Sequence, residues 1–314
     1  MRAVTIADGD LHWAEHPDPE PGDGELLVAV RAAGLNAADL LQRVDLYPAP
    51  AGFPQDIPGM EFAGEVMALG RGTARFAVGD RVMAVVGGGA QAELTVVDER
   101  CCMAVPENIS WDEAGGFPEA FSTAYDALFT QCQMSLGDSV LVTGAAGGVG
   151  TAAVQLTAAC GARATASVRS AELRDAVAAL GAAEALGVEE ALARGPFDVA
   201  IELVGGPSLP GVLGAMDLGG RIAVIGVGAG GRAELDLLAL MQRRARISGS
   251  TLRARSSTEK AVVARAVESH VLPLLTSGGV RVPVLAIYQM ERAAEAYERF
   301  AAGGKLGKIV LVPS

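Results

Sequence analysis

The chain is poor in histidine, cysteine and positive charge. Its three histidines are His12, His16 and His270. Its four cysteines, Cys101, Cys102, Cys132 and Cys160, contain no CxxC pair and are too few for a disulfide framework in a chain of 314 residues, so they read as small buried apolar residues. Lys and Arg number 25 against 37 Asp and Glu, a formal charge of −12, with the acids scattered rather than blocked. The basic footprint of a phosphate-backbone binder is therefore missing, and no nucleic-acid partner is expected. No run reaches the roughly 18 apolar residues of a membrane span. The opening MRAVTIADGD lacks an apolar signal core, so the expectation is a soluble, cytoplasmic protein with no membrane partner. The sequon at Asn108 would matter only in a secreted chain. Internal repeats and low-complexity linkers are also missing.

Apolar residues make up 50% of the chain, and 40 residues are glycine, so a real core can be buried. The length is about twice that of a common domain, which predicts two domains or one inserted into another. Over the first 120 residues, Leu26–Asn36, Glu61–Gly70 and Asp80–Val86 are β-branched or alternating segments bounded by Gly, Pro and Asp, the texture of a mostly antiparallel barrel or sandwich. From about Phe121, strands alternate with helices: Ser139–Thr143, a helix to about Ala159, Ala162–Val168, AELRDAVAAL, Phe197–Gly205, Gly220–Gly226 and Arg246–Leu252. That rhythm predicts a parallel, doubly wound sheet. After a helix near Thr258–Ser277, the strand-like VRVPVLAIY, a short helix from Met290 and KIVLVPS return to the first texture. The expected fold class is α/β, with a doubly wound Rossmann domain at residues 122–257 inserted into a mostly antiparallel β domain built from residues 1–121 and 258–314.

VLVTGAAGGVGTAAVQL (Val140–Leu156) places glycines between a strand and a helix. Gly144 permits a tight turn, Gly147 and Gly148 let backbone N–H groups of the turn, through Val149, approach a pyrophosphate, and Gly150 allows close packing of helix on strand. The helix N-terminus adds a dipole favourable to an anion. An acidic residue about 20 residues on would bind a ribose 2′-hydroxyl. Here the next strand ends Ser167-Val168-Arg169-Ser170 instead. Arg169 can pair with a 2′-phosphate, which favours NADPH over NADH; a solvated surface arginine is the bland alternative.

AAGLNAADLLQR, LYPAPAG, PGMEFAGEVMALG, GGGAQAELTVV, FPEAFSTAYDAL, the glycine run, ISGSTLRAR and LGKIVL resemble successive signatures of the zinc-independent quinone oxidoreductases of the medium-chain dehydrogenase/reductase superfamily. The chain looks most like the branch containing the tumour-suppressor-inducible quinone reductase. The resemblance implies a GroES-like catalytic domain, a Rossmann domain, NADPH as cofactor, a quinone or other conjugated small molecule as acceptor, and a homodimer through the Rossmann sheet. It puts Asn36 beside the nicotinamide ribose and Tyr47 at the mouth of the substrate cleft as hydrogen-bond donor. Asn36 can also cap the helix beginning near Ala37, and Tyr47 can simply cover apolar surface. Further cofactor contacts implied are Thr123, Ser167, Val204, Gly205, Gly226, Val227, Thr251, Leu252, Arg253 and Lys305.

Zinc-dependent relatives carry cysteine at the place of Asn36 and histidine at that of Met60, so no metal is expected. His12-Trp13-Ala14-Glu15-His16 matches HxxEH, but that motif needs a helix and here lies between a strand and DPEPG. Relatives commonly have lysine at the place of Leu173 and tyrosine near Val188. The positive charge for a 2′-phosphate then falls to Arg169, helped by Arg174. With Tyr47 the one plausible proton donor, quinone reduction is favoured over enone reduction, which must deliver a proton to carbon. An enone reductase and a non-catalytic, crystallin-like NADPH binder are the alternatives.

Overall fold

The computed structural model describes residues 1–313. The chain divides into two compact units. One is Met1–Ser122 with Leu252–Gly303 and the segment from Lys308 onward; the other is Thr123–Thr251 with Gly304–Gly307. The chain re-enters the first unit at Leu252, where Leu252 and Arg253 are buried and Arg253 bonds to Gly87 and Tyr47 of that unit.

The strands follow in chain order. The first unit contributes β1 (Arg2–Ala7), β2 (Asp10–Glu15), β3 (Glu25–Gly34), β4 (Glu61–Leu69), β5 (Arg81–Val85), β6 (Leu94–Asp98) and β7 (Cys102–Ala104). The second contributes β8 (Ser139–Val142), β9 (Arg163–Ser167), β10 (Glu184–Leu186), β11 (Phe197–Glu202), β12 (Met216–Val224) and β13 (Arg246–Gly249). The chain then returns to the first unit with β14 (Val284–Gln289) and β15 (Lys308–Val312).

In the first unit the order is β14-β15-β3-β4-β5-β7, with β6 also on β3, and every pairing except β14 with β15 is antiparallel. Alternation drives it: along β3, Leu26, Val28 and Val30 turn inward and are buried, with partly exposed residues between them. They pack with Phe62, Val66, Val82, Ile309 and Leu311 in one core. β1 and β2 form a separate hairpin, so His12 and Glu15 of the HxxEH string sit on a strand and the helix that motif requires is not there.

The second unit is one parallel sheet ordered β10-β9-β8-β11-β12-β13. Val140, Leu141, Val142 and Val199, Ala200, Ile201 are fully buried, as continuous apolar strands covered on both faces must be. Strand order reverses between β8 and β11, which marks the carboxyl end of that pair as the ligand end of such a sheet. The expected α/β class, Rossmann-type unit and mostly antiparallel unit are all present. The expected helix at Thr258–Ser277 is two, Ser257–His270 and Leu272–Thr276, broken at Val271 because Pro273 supplies no N–H to continue the ladder. β10, the short helix Val188–Leu192 and a π-turn at Asp126–Gln131 carry no periodic signal and were not anticipated.

Candidate functional site

In the second unit the glycine turn sits at the carboxyl end of β8. Gly144 has φ +57°, the left-handed region that glycine enters most cheaply. Its carbonyl accepts the Gly147 N–H at 3.0 Å. Gly147 precedes the 12-residue helix Gly148–Ala159, and no side chain caps that N-terminus. A Cβ on Gly147 would meet nothing closer than Gly144 O at 3.5 Å, whereas one on Gly150 would fall 2.5 Å from that oxygen and 2.7 Å from Ala145 Cα. The turn is therefore open outward and closed inward. Its first-turn N–H groups, Gly148, Val149 and Gly150, make a cradle of the kind that accepts a phosphate.

Neighbouring segments converge on this turn. Gly307 donates its N–H to Ala146 O at 2.8 Å, which brings the Gly304–Gly307 segment, with Lys305, alongside it. Ala145 N–H donates to Ser167 O at 3.2 Å, tying in the end of β9. At the end of β11 the buried Glu202 accepts from Val204 N–H (2.7 Å) and Gly205 N–H (2.8 Å) on one oxygen and from Ser208 Oγ (3.0 Å) on the other. Gly205 has φ +117°, and a Cβ on Gly226 would lie 2.5 Å from Leu203 O, so both loops need their glycines. Val227 and Thr251 are exposed at the same end of the sheet, and Thr123 is buried where the unit begins. Glu202 holds this loop and was missed in the sequence, since a lone acid ending a strand carries no pattern.

Arg169 follows β9 and is exposed. Among the described residues no carboxylate pairs with it. Arg174, expected to help it, is otherwise engaged: its Nη1 lies 3.7 Å from Glu190 Oε2.

In the first unit, Asn36 stands at the N-cap of the helix Ala37–Arg43, but its amide does not cap. The Asp39 carboxylate does the capping, accepting the Asn36 N–H at 2.8 Å on Oδ2 and the Gly59 N–H at 3.2 Å on Oδ1. The Asn36 amide instead donates to Gly34 O (3.2 Å) and Glu61 Oε1 (2.9 Å), and its oxygen accepts from Lys308 Nζ at 2.7 Å. Lys308 also donates to Leu35 O (3.1 Å) and Glu61 Oε1 (2.5 Å), which uses all three ammonium hydrogens. Glu61 Oε2 accepts the Glu119 N–H at 2.8 Å. The Lys308 and Glu61 side chains are 4% and 0% exposed. Burial pushes the Asp39 carboxyl up to about 6 against the pull of its two N–H donors, Arg253 and Lys308.

Tyr47 is half-buried, and burial raises its phenol above the ordinary value, so it stays protonated at neutral pH. Beneath it lies Arg253, 1% exposed, with its guanidinium 5.2 Å from the ring centroid. Arg253 donates from Nε to Gly87 O (2.7 Å), from Nη1 to Tyr47 O (3.0 Å) and from Nη2 to Gln42 Oε1. Expected among the cofactor contacts with Leu252, it spends these donors on the loop that carries Tyr47. A cavity of about 460 Å³ elsewhere in this unit, lined by Phe53, Pro54 and Gly89, includes neither Tyr47 nor Asn36.

Residues 22–107 match the alcohol dehydrogenase GroES-like domain, and residues 148–268 match the zinc-binding dehydrogenase family. Despite that second description, no group of three or more His, Cys, Asp or Glu among the described residues could hold a metal ion. The donor set at Asn36 and Met60 does not fit zinc. The Mus musculus synaptic vesicle membrane protein VAT-1 homolog-like is 41% identical over 160 residues, 50% of this chain and 38% of that protein, so the match spans well under half of that relative. The Lama guanicoe quinone oxidoreductase is 28% identical over 306 residues, covering 94% of this chain and 90% of that one. Among solved structures, an NAD-dependent alcohol dehydrogenase superposes with a TM-score of 0.86 at 28% identity over the whole of both chains. A mycobacterial protein complexed with NADPH superposes with a TM-score of 0.87 at 26% identity, also over the whole of both chains.

Proposed function

The chain is a member of the medium-chain dehydrogenase/reductase superfamily, and from that premise we propose that it is an NADPH-dependent quinone oxidoreductase working without zinc. The observation that carries the reading is the second unit's open glycine turn with its uncapped helix N-terminus, next to an unpaired Arg169 and with no carboxylate ending β9. The turn's N–H groups and Lys305 would hold the pyrophosphate, and Arg169 the 2′-phosphate, through charge-assisted hydrogen bonds.

NADPH, when bound, supplies the hydride. The residues of this chain bind, orient and protonate. Asn36, with both amide hydrogens and its oxygen engaged, is a fixed polar surface. Tyr47 keeps its proton and offers it to a carbonyl oxygen of the acceptor, which suffices for a quinone because reduced quinones take protons on oxygen. The protein contributes chiefly proximity and orientation. Zinc independence is supported by Lys308: an ammonium already stands 2.5 Å from Glu61 and 2.7 Å from Asn36, so a metal at those groups would face a buried positive charge.

The test is NADPH oxidation with ortho- and para-quinones beside α,β-unsaturated ketones. A much higher specificity constant for the enones than for every quinone would replace this reading with an enone reductase, and tight binding without turnover would leave a non-catalytic binder. Arg169→Ala should reduce the NADPH-over-NADH margin by about 1.5 kcal/mol, the low end for a charged bond because the side chain is exposed. Equal affinities in the parent would remove the NADPH assignment. We further propose a homodimer through β13, an edge strand beside the exposed Leu237, Leu238 and Met241. A monomer at micromolar concentration in light scattering would contradict it.

A further inference from the structure

We propose that Glu190 sets the strength of the protein's preference for NADPH by withholding Arg174 from the cofactor's 2′-phosphate. The inference rests on the NADPH reading above and deepens it. β9 and β10 run side by side in parallel, with Ser167 opposite Leu186, so Arg169 and Gly187 follow neighbouring strand ends. The two ends are joined directly, since Val168 N–H donates to Leu186 O at 2.8 Å. This is where a doubly wound sheet reads the ribose of a dinucleotide. Two arginines reach the place. Arg169 is exposed, and no described carboxylate pairs with it.

Arg174 is held at two points and lies close against Gly187. Its Nε donates to Val168 O at 3.4 Å, its Nη1 lies 3.7 Å from Glu190 Oε2, and its Nη2 lies 2.9 Å from where a Cβ on Gly187 would be. Glu190 is itself fixed, because Oε2 accepts the Gly187 N–H at 3.0 Å. A carboxylate thus neutralises the second arginine beside the strand end where an anionic phosphate would sit. That withholding opposes NADPH and leaves NADH untouched. The pair is partly solvated, with side chains 31% and 63% exposed, so the withholding is tunable rather than absolute.

Equilibrium titration of the whole protein with NADPH and NADH, followed by nucleotide fluorescence, tests this without any turnover. Glu190→Gln keeps an oxygen for the Gly187 N–H and removes only the charge. It should tighten NADPH by about two- to fivefold, the range a partly exposed pair supports, with NADH unchanged. The gain should shrink with added salt. Arg174→Gln alone should move the NADPH:NADH ratio less than Glu190→Gln does, and in that background Glu190→Gln should lose most of its gain. Glu190→Ser serves as a second variant on the same exposed position. An unchanged ratio in Glu190→Gln, or an undiminished gain without Arg174, overturns the proposal. The underlying reading fails separately, if Arg169→Ala leaves the ratio unaltered or if neither nucleotide binds.

Discussion

Lys308→Met would remove the ammonium from the buried cluster while keeping an unbranched apolar side chain in its place. Glu61 would then retain one amide donor from Asn36 and one backbone N–H from Glu119 but no counter-charge, at 0% exposure. Leaving one member of a buried pair uncompensated costs about 3–5 kcal/mol. The methionine recovers some of that, because an apolar chain is easier to bury than an ammonium, so about 3 kcal/mol is expected. The two tryptophans, Trp13 and Trp111, both lie in the first unit, so their fluorescence during urea unfolding reports the unit that contains the pair. The double variant Lys308→Met, Glu61→Gln should be more stable than the sum of the single losses implies, with a coupling of about 2 kcal/mol. An unchanged urea slope would show that the folded and unfolded states are otherwise the same. A loss below about 1 kcal/mol for Lys308→Met at unchanged slope, no more than a surface pair gives, would refute the argument. The same variant frees the Asn36 amide oxygen, so quinone turnover should fall beyond what the loss of folded protein explains.

Asp39 gives a pH signature. Its folded-state value is raised from 3.8 to about 6, so the folded protein binds that proton more tightly than the unfolded chain, and stability is lost as pH rises through that window. The stability difference between parent and Asp39→Asn should shift by up to about 3 kcal/mol against the parent from pH 4 to 7; a flat difference in calorimetry would contradict the burial argument. Arg253→Met should loosen the loop bearing Tyr47, lowering kcat/KM for quinones about tenfold with the NADPH dissociation constant little changed, since a single charged interaction is worth a few kcal/mol, and Arg253→Lys should restore little because one ammonium cannot reach three acceptors. If NADPH affinity falls instead, Arg253 acts on the cofactor. Exhaustive chelation should leave activity intact, and elemental analysis should find no stoichiometric zinc; activity returning only with zinc would overturn the reading of Asn36 and Met60.

Local signals made the architecture legible. Strand, glycines and helix at Ser139–Ala159 follow one another within a few residues, and the two textures of the chain announce two units. Asn36 could be read as a helix start because the N-cap depends on its immediate neighbours. Its chemistry could not be read so easily, because the amide is set by Lys308, 272 residues away. Arg253 shows the same limit: a basic residue in a TLRAR string gives no sign that its acceptors are Gly87, Tyr47 and Gln42. Arg174 was readable as positive charge but not as charge already engaged, since Glu190 meets it only once β9 and β10 pair.

The position of β15 has a consequence for the order in which the chain can be made. It pairs antiparallel with β3, and its first residue carries the ammonium that neutralises Glu61. As the polypeptide leaves the ribosome, residues 123–251 of the second unit emerge as a block that lacks only Gly304–Gly307. The first unit, begun earlier, stays incomplete until residue 308 has been made, with the β3 end unpaired and the Glu61 carboxylate in its core without a counter-charge. Nascent chains stalled before residue 308 should therefore be where this protein depends most on chaperones, since an open strand edge and incomplete packing are what make intermediates aggregate.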